Sequence, residues 1–169
     1  MKTVLEIDKL SSRYHVRRMD ERDAERILAL CRGNTLFYEY ARAEPTVEEI
    51  LNDLSITPPG IEAKDKYYIG FFDGETLAAV MDLIDGYPEP DVAFIGFFMM
   101  DASLQGRGTG SFIISETAEY LRSIGKTAIH LGIDAENPQS NAFWRKNGFI
   151  TIAEVDRDGN KILLAEKKL

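Results

Sequence analysis

Gln105-Gly106-Arg107-Gly108-Thr109-Gly110 is the stretch whose residue types and spacing point most directly to chemistry. It follows an apolar run, Ala93 to Met100, and precedes a helical pattern, Ser111 to Ser123. Strand, glycine loop and helix together make a phosphate cradle. Backbone N–H groups point outward where a helix begins, and the aligned peptide dipoles favour negative charge there. Glycine permits positive φ and a close approach of the backbone to an anion. Spacing excludes two familiar phosphate loops. A dinucleotide fingerprint needs glycine at 111, which is Ser111. A Walker A loop could borrow Gly125-Lys126-Thr127 as its tail, but Tyr120 stands where the first glycine belongs, and the tripeptide leaves a helix instead of opening one. Taken alone, the loop is also compatible with a glycine-rich turn that binds nothing.

The elements that must hold this loop follow from patterning. Residues 1–12 read as a loosely held lead-in. Tyr14 to Met19 alternates as a first strand. Asp20 caps a helix from about Glu21 to Arg32, whose apolar face is Ala24, Ile27, Leu28 and Cys31. A second helix runs from Val47 to Leu54, with Thr46 and Glu49 as a capping box. Between them, Thr35 to Tyr40 is an aromatic-rich loop that either folds over something or packs as a satellite of the core. Tyr67–Phe72 and Glu75–Ile84 flank Asp73-Gly74 as a hairpin, and Val92 to Met100 adds a strand. A helix after the glycine loop, a strand from Thr127 to Ile133, a helix from Gln139 to Lys146 and a hairpin, Phe149–Val155 with Lys161–Glu166, complete the chain. The order is β-α-α-β-β-β-α-β-α-β-β. The crossover through the glycine loop makes strands 92–100 and 127–133 parallel neighbours.

Composition sets bounds. The 169 residues suit one domain with a real core. Lys+Arg 20 against Asp+Glu 28 gives a formal net charge of −8, which argues against nucleic acid and anionic membranes as partners. A single cysteine, Cys31, excludes an intrachain disulfide, and the charged start MKTVLEIDKL is unlike a signal peptide, so the expected location is the cytoplasm. Two distant histidines and no paired-cysteine motif give no metal site.

Two motifs combine into a pattern. Gln105-x-x-Gly108-x-Gly110 matches the acyl-CoA signature Q/R-x-x-G-x-G/A. Asn137 to Phe149 looks like N-x-x-S/A-x-x-F/L-Y-x-x-x-G-F, with Trp144 in the tyrosine position. With this strand order the chain resembles the GNAT family of N-acetyltransferases over nearly its full length. The resemblance implies an α/β (α+β) fold with a mixed, mostly antiparallel sheet, in which a splayed parallel pair forms the cleft for acetyl-CoA. It implies that the pyrophosphate sits on the amides of Gly106 to Gly110, with Gln105, Arg107 and Thr109 in the same loop. The pantetheine would pair with the backbone of Phe98, Met99 and Met100, where a bulge would free an N–H for the thioester oxygen. Asn137 and Asn141 would contact the pantetheine, and Phe143 and Trp144 would wall the thiol.

Acetyl transfer to an amine needs a neutral amine, a held oxyanion and a stabilised leaving thiolate. A primary amine of pKa about 10.4 is almost wholly protonated at neutral pH, so a base is useful. Many family members carry a glutamate on the strand before the glycine loop, but here Ala93 to Met100 holds no carboxylate. Asp82 is the first substitute: it shares a strand face with Ala78, Val80 and Ile84, and is either an acid in apolar surroundings or one at an edge facing water. His130, on a face with Ala128 and Gly132, is the second; the alternative is a hydrogen-bonded core histidine. Asp85 and Tyr87 extend towards an acceptor pocket. Trp144 occupies the position where the family usually has a tyrosine to protonate the thiolate, and indole cannot do so. Tyr38, Tyr40, Tyr87, water or unaided departure remain open. Cys31, in the first helix, argues against a covalent cysteine intermediate. The sequence therefore reads as a transferase moving acetyl from acetyl-CoA to a small-molecule or protein amine in a ternary complex, with a homodimer compatible. The alternative is a catalytically silent acyl-CoA-binding sensor. A nucleotide-binding protein is weaker, given the failed fingerprints.

Overall fold

The computed structural model describes residues 4–169. Among them, seven strands form one sheet: β1 (His15–Arg18), β2 (Lys66–Asp73), β3 (Thr76–Asp85), β4 (Val92–Met100), β5 (Ala128–Asp134), β6 (Ile150–Arg157) and β7 (Asn160–Lys168). Their spatial order is β1-β2-β3-β4-β5-β7-β6. Only β4 and β5 pair in parallel; the other neighbours are antiparallel. The helices are α1 (Ala24–Arg32), α2 (Thr35–Ala41), α3 (Val47–Asp53), α4 (Thr109–Ser123) and α5 (Pro138–Lys146). The mixed α/β sheet with one parallel pair is the arrangement expected from the patterning.

Strand alternation divides the core in two. Ile69, Phe71, Met81 and Leu83 point to the face covered by α4, through Ile113, Ile114 and Leu121, and by Trp144 of α5. Tyr68, Val80 and Met99 point to the other face, covered by Ile27, Leu28 and Cys31 of α1 and Ile50 of α3. The central strands β2 and β3 are covered on both sides, which is why they read as continuous apolar runs.

Two expectations are corrected. Thr35 to Tyr40 is helical, as α2, not a loop. Its N-cap residue, Asn34, makes no side-chain cap bond and the helix buries no residue, so no apolar stripe marks it in the sequence. The described part of the lead-in, residues 4–12, is docked and not loose. Leu5 and Leu10 belong to the core, the Glu6 N–H donates to the Tyr120 hydroxyl at 2.7 Å, and Ser11 Oγ donates to Glu116 at 3.1 Å. A short 3-10 turn, Ile7–Leu10, presents Leu10 to the core without a helical or strand period. Residues 1–3 of that expectation lie outside the described residues. Asp20 does cap, but the turn it starts, Glu21–Asp23, is 3-10, and α1 begins at Ala24.

Candidate active site

The parallel ladder between β4 and β5 runs from Val92↔Ala128 to Ile95↔Leu131 and stops. Both strands continue, β4 to Met100 and β5 to Asp134, and a cleft of about 450 Å³ opens between them. The cause of the divergence lies on the other edge of β4. Asp82 faces Phe97 and Leu83 faces Ile95, so Gly96 is an extra residue and forms a β-bulge. The bulge is therefore at Gly96, and not within Phe98 to Met100 as expected. Beyond it, the bond from Asp101 N–H to Ala78 O marks Met100 and Ala79 as a non-hydrogen-bonded pair. Alternation then turns the N–H and C=O of Phe98 and Met100 to the open cleft, and those of Met99 towards β3. Of the three residues expected to present backbone to the cleft, Met99 is thus occupied by the sheet. On the apolar wall, Phe98 stacks on Phe143 at 6.0 Å, and Trp144 meets Phe143 edge-on at 4.9 Å.

The glycine loop ends this cleft. Gly106 and Gly108 have φ of +77° and +79°, and an added Cβ would meet nothing within 4 Å at either. Glycine is needed there for backbone conformation, and the space above is open. Gly108 is the N-cap of the fifteen-residue α4, whose first turn has no side-chain cap and no acidic residue. Its leading amides are unclaimed by side chains and no carboxylate opposes an anion there. Gly110 is required for a different reason: a Cβ would lie 3.1 Å from Phe143 Cε2, so α4 and α5 approach each other through its missing side chain. A site of this kind fits the diphosphate end of CoA, with the open edge of β4 available to an extended amide-bearing arm. Gln105, Gly106, Gly108 and Gly110 line the cleft; Arg107, exposed, and Thr109, buried at the helix start, do not.

Asp82 is buried, and so is the apolar-surroundings alternative and not the edge one; β3 is an interior strand of the sheet. Its Oδ2 accepts from Lys66 Nζ at 2.8 Å, and Lys66 is buried too. Its Oδ1 has no hydrogen-bond partner among the described residues. Burial pushes the carboxyl above the ordinary aspartate range, while Lys66 pulls it down. Asp82 does not itself line the cleft, but its carboxylate reaches the bulge: a Cβ on Gly96 would stand 2.9 Å from Asp82 Oδ2. Gly96 lines the cleft, so the strand that lacks an acid has a gap against which its neighbour's acid rests.

The other candidates are placed differently. His130 lies where β4 and β5 are still paired, opposite Phe94, and does not line the cleft; its Nε2 is 2.7 Å from Glu166 Oε2. Asn137 is buried as the N-cap of α5, accepting from the Ser140 N–H, and Asn141 Nδ2 donates to the carbonyls of Asp134, Ala135 and Asn137. Both hold the β5–α5 turn, and neither lines the cleft. Asp85 is buried in an ion pair with Lys126, and Tyr87 packs edge-on against Phe94. Tyr38 is hydrogen-bonded to Cys31, and burial raises its hydroxyl further from neutrality, which makes it a poor acid for a thiolate. Trp144 is buried, against Phe143 and Phe149.

Two positions at or beside the cleft carry no sequence signal, and a third lies in the aromatic stretch Thr35 to Tyr40 singled out above. Lys66 carries no motif, and only the register Tyr68↔Asp82 brings it near Asp82. Phe37, on α2, lines the cleft and packs against Phe97 at 5.9 Å. Asn34 also lines the cleft and bonds to Gln105. Among the described residues, no group of three or more His, Cys, Asp or Glu is placed to hold a metal, and no helix is long and apolar enough to cross a membrane.

Comparison with known proteins follows the same lines. Residues 16–149 match the model of the acetyltransferase (GNAT) family. An acetyltransferase from Thermus thermophilus superposes with a TM-score of 0.72 at 22% identity, over 91% of this chain and 96% of that one. The PaiA N-acetyltransferase from Thermoplasma acidophilum, in complex with coenzyme A, gives 0.64 at 19%, over 91% and 98%. The ribosomal-protein-S18-alanine N-acetyltransferase from Escherichia coli gives 0.64 at 12%, over 90% and 92%. At these identities the likeness carries the fold. A search of curated proteins finds no match.

Proposed function

The chain belongs to the GNAT acetyltransferase family, and from that premise we propose that it moves an acetyl group from acetyl-CoA to a primary amine by direct attack in a ternary complex. The observation that carries this reading is the splay of β4 from β5 at the Gly96 bulge, with an uncapped, acid-free helix start at its far end. The amides of Gly106 to Gly110 would hold the pyrophosphate, each charge-assisted bond contributing roughly 1.5–3 kcal/mol. The N–H and C=O of Phe98 would pair with the pantetheine arm, and the Phe98 N–H is the nearest candidate to hold charge developing on the thioester oxygen. Phe98, Phe143 and Trp144 would keep water from the sulfur.

Asp82 supplies the carboxylate that β4 lacks. Its free Oδ1 and raised pKa suit a base that takes a proton from the ammonium, directly or through one water at Gly96. The proton then rests on Asp82, and the amine's lone pair is free to attack the thioester carbon. Lys66 pulls the carboxyl's pKa back down and so favours the ionised form. Among the described residues no tyrosine lines the cleft, so the thiolate departs unaided or to water. A cytoplasmic setting fits a chain whose one cysteine is buried and forms no disulfide.

Calorimetry with acetyl-CoA, ATP and NAD tests the donor assignment. Sub-millimolar binding of acetyl-CoA alone is expected. Absence of that binding, or equal binding of ATP or NAD, would remove it.

A further inference from the structure

Asn34 stands at the N-cap of α2, where an asparagine ordinarily accepts a bond from an N–H of the helix it begins. It makes no such bond here. Its side chain is buried and turned towards the cleft. Nδ2 donates to Leu30 O and to Met100 O, each at 3.0 Å, and Oδ1 accepts from Gln105 Nε2. Both donors and the acceptor of one amide are thereby used on three segments: the end of α1, the end of β4 and the first residue of the glycine loop. Gln105 Nε2 also lies 3.4 Å from Met100 O.

The arrangement matters because of what surrounds it. Gly106 and Gly108 give the loop its conformation and no side-chain anchorage. One end of the loop is held by α4. The other is held by the side chain of Gln105, which Asn34 receives. Met100 O faces the open edge of β4 and is claimed by these two amides, leaving the N–H of Met100 and both backbone groups of Phe98 for a ligand.

Resting on the acyl-CoA reading of the cleft, we propose that Asn34 is a positioning residue, which fixes the glycine loop against the end of β4 through Gln105. A donor that must reach both the loop amides and the β4 edge then meets them in one preset spacing, and ordering the loop does not count against binding. The diversion of Asn34 from capping leaves α2 uncapped and its cap function unfilled.

The test is a double-mutant cycle read by calorimetry with acetyl-CoA, with thermal unfolding as a check on integrity. Asn34→Ala and Gln105→Ala each weaken binding by about tenfold, and the double variant weakens it no more than the worse single one. Gln105→Arg still donates an N–H to Asn34 Oδ1 and stays within about threefold of wild type, whereas Gln105→Glu cannot donate and matches the alanine variant. Gln105 variants lie on an open loop and keep the test alive if Asn34→Ala fails to fold. Wild-type affinity in Gln105→Glu, or additive losses in the double variant, overturns the role of Asn34 and leaves the acyl-CoA reading standing. Failure of the wild type itself to bind acetyl-CoA overturns the reading beneath.

Discussion

Gly96→Ala is the smallest change that pushes Asp82 away from the bulge at the cleft wall. Gly96 does not have positive φ, so alanine brings no backbone strain. Its Cβ would lie 2.9 Å from Asp82 Oδ2, 3.4 Å from Cγ and 3.7 Å from Cβ. Carbon and oxygen in ordinary contact stand about 3.5 Å apart, so the carboxylate must retreat by roughly half an ångström. Oδ2 is the atom that accepts from Lys66 at 2.8 Å, so the retreat also disturbs the ion pair. Overpacking of this kind costs about 1–3 kcal/mol of stability, which leaves a folded protein. A positioned base contributes roughly 10²–10⁴ to rate, and a displacement short of 1 Å removes part of that. The expected result is a fall in kcat of about ten- to a hundredfold, with acetyl-CoA affinity within about twofold of wild type. Release of the CoA thiol at saturating acetyl-CoA measures the first, and calorimetry the second. If the effect passes through Asp82, adding Gly96→Ala to Asp82→Asn slows the enzyme no further. Full turnover in a folded Gly96→Ala would refute Asp82 as the base.

Further predictions concern pH, the loop and the core. The acid limb of kcat/KM should lie above the ordinary aspartate value of 3.8, because Asp82 is raised by burial and must be deprotonated to act. Lys66→Met should move that limb further up, since Lys66 lowers the pKa; an unmoved limb would assign it to another group. Gly108→Asn, in a residue type that tolerates positive φ, should fold normally yet lose at least tenfold in acetyl-CoA affinity by calorimetry, its side chain entering the space left above the loop. Leu10→Ala should cost about 2–5 kcal/mol in urea unfolding, as a fully buried leucine does, whereas a loose lead-in predicts almost nothing. Asp23 is held below its ordinary value chiefly by Arg17, so its contribution is present above that value and lost as pH falls through the folded one. Asp23→Asn should therefore flatten the acid end of the stability profile measured by denaturant titration.

What the sequence made legible was local. The glycine loop, the Asp-Gly hairpin and the Asn-Gly end of α5 declare themselves through turn chemistry, and the β4–α4–β5 crossover follows from them. The acyl-CoA motifs pointed to part of the cleft wall, with Gln105, Gly106, Gly108, Gly110, Phe143 and Trp144 among its lining. What was not legible depends on register or on distant pairing. The Gly96 bulge appears only when Asp82 is seen facing Phe97 while Leu83 faces Ile95. Lys66 and Asp82 are sixteen residues apart, and Asn34 and Gln105 seventy-one. Asn137 and Asn141 carry the expected motif yet use the Asn137 Oδ1 and the Asn141 Nδ2 on the β5–α5 turn, because a helix start and a tight loop need side-chain acceptors and donors there. His130 is on the right strand but one pair below the splay.

Transfer of acetyl to an amine in this cleft is measured directly by incubation with acetyl-CoA and a panel of polyamines, amino acids and aminoglycosides, followed by thiol titration and mass spectrometry. The expected result is CoA release that depends on one class of amine, matched by acetylated product, and lost in Asp82→Asn with acetyl-CoA affinity intact. Tight acetyl-CoA binding with no amine-dependent release across the panel would contradict it and leave a silent acyl-CoA-binding module in its place.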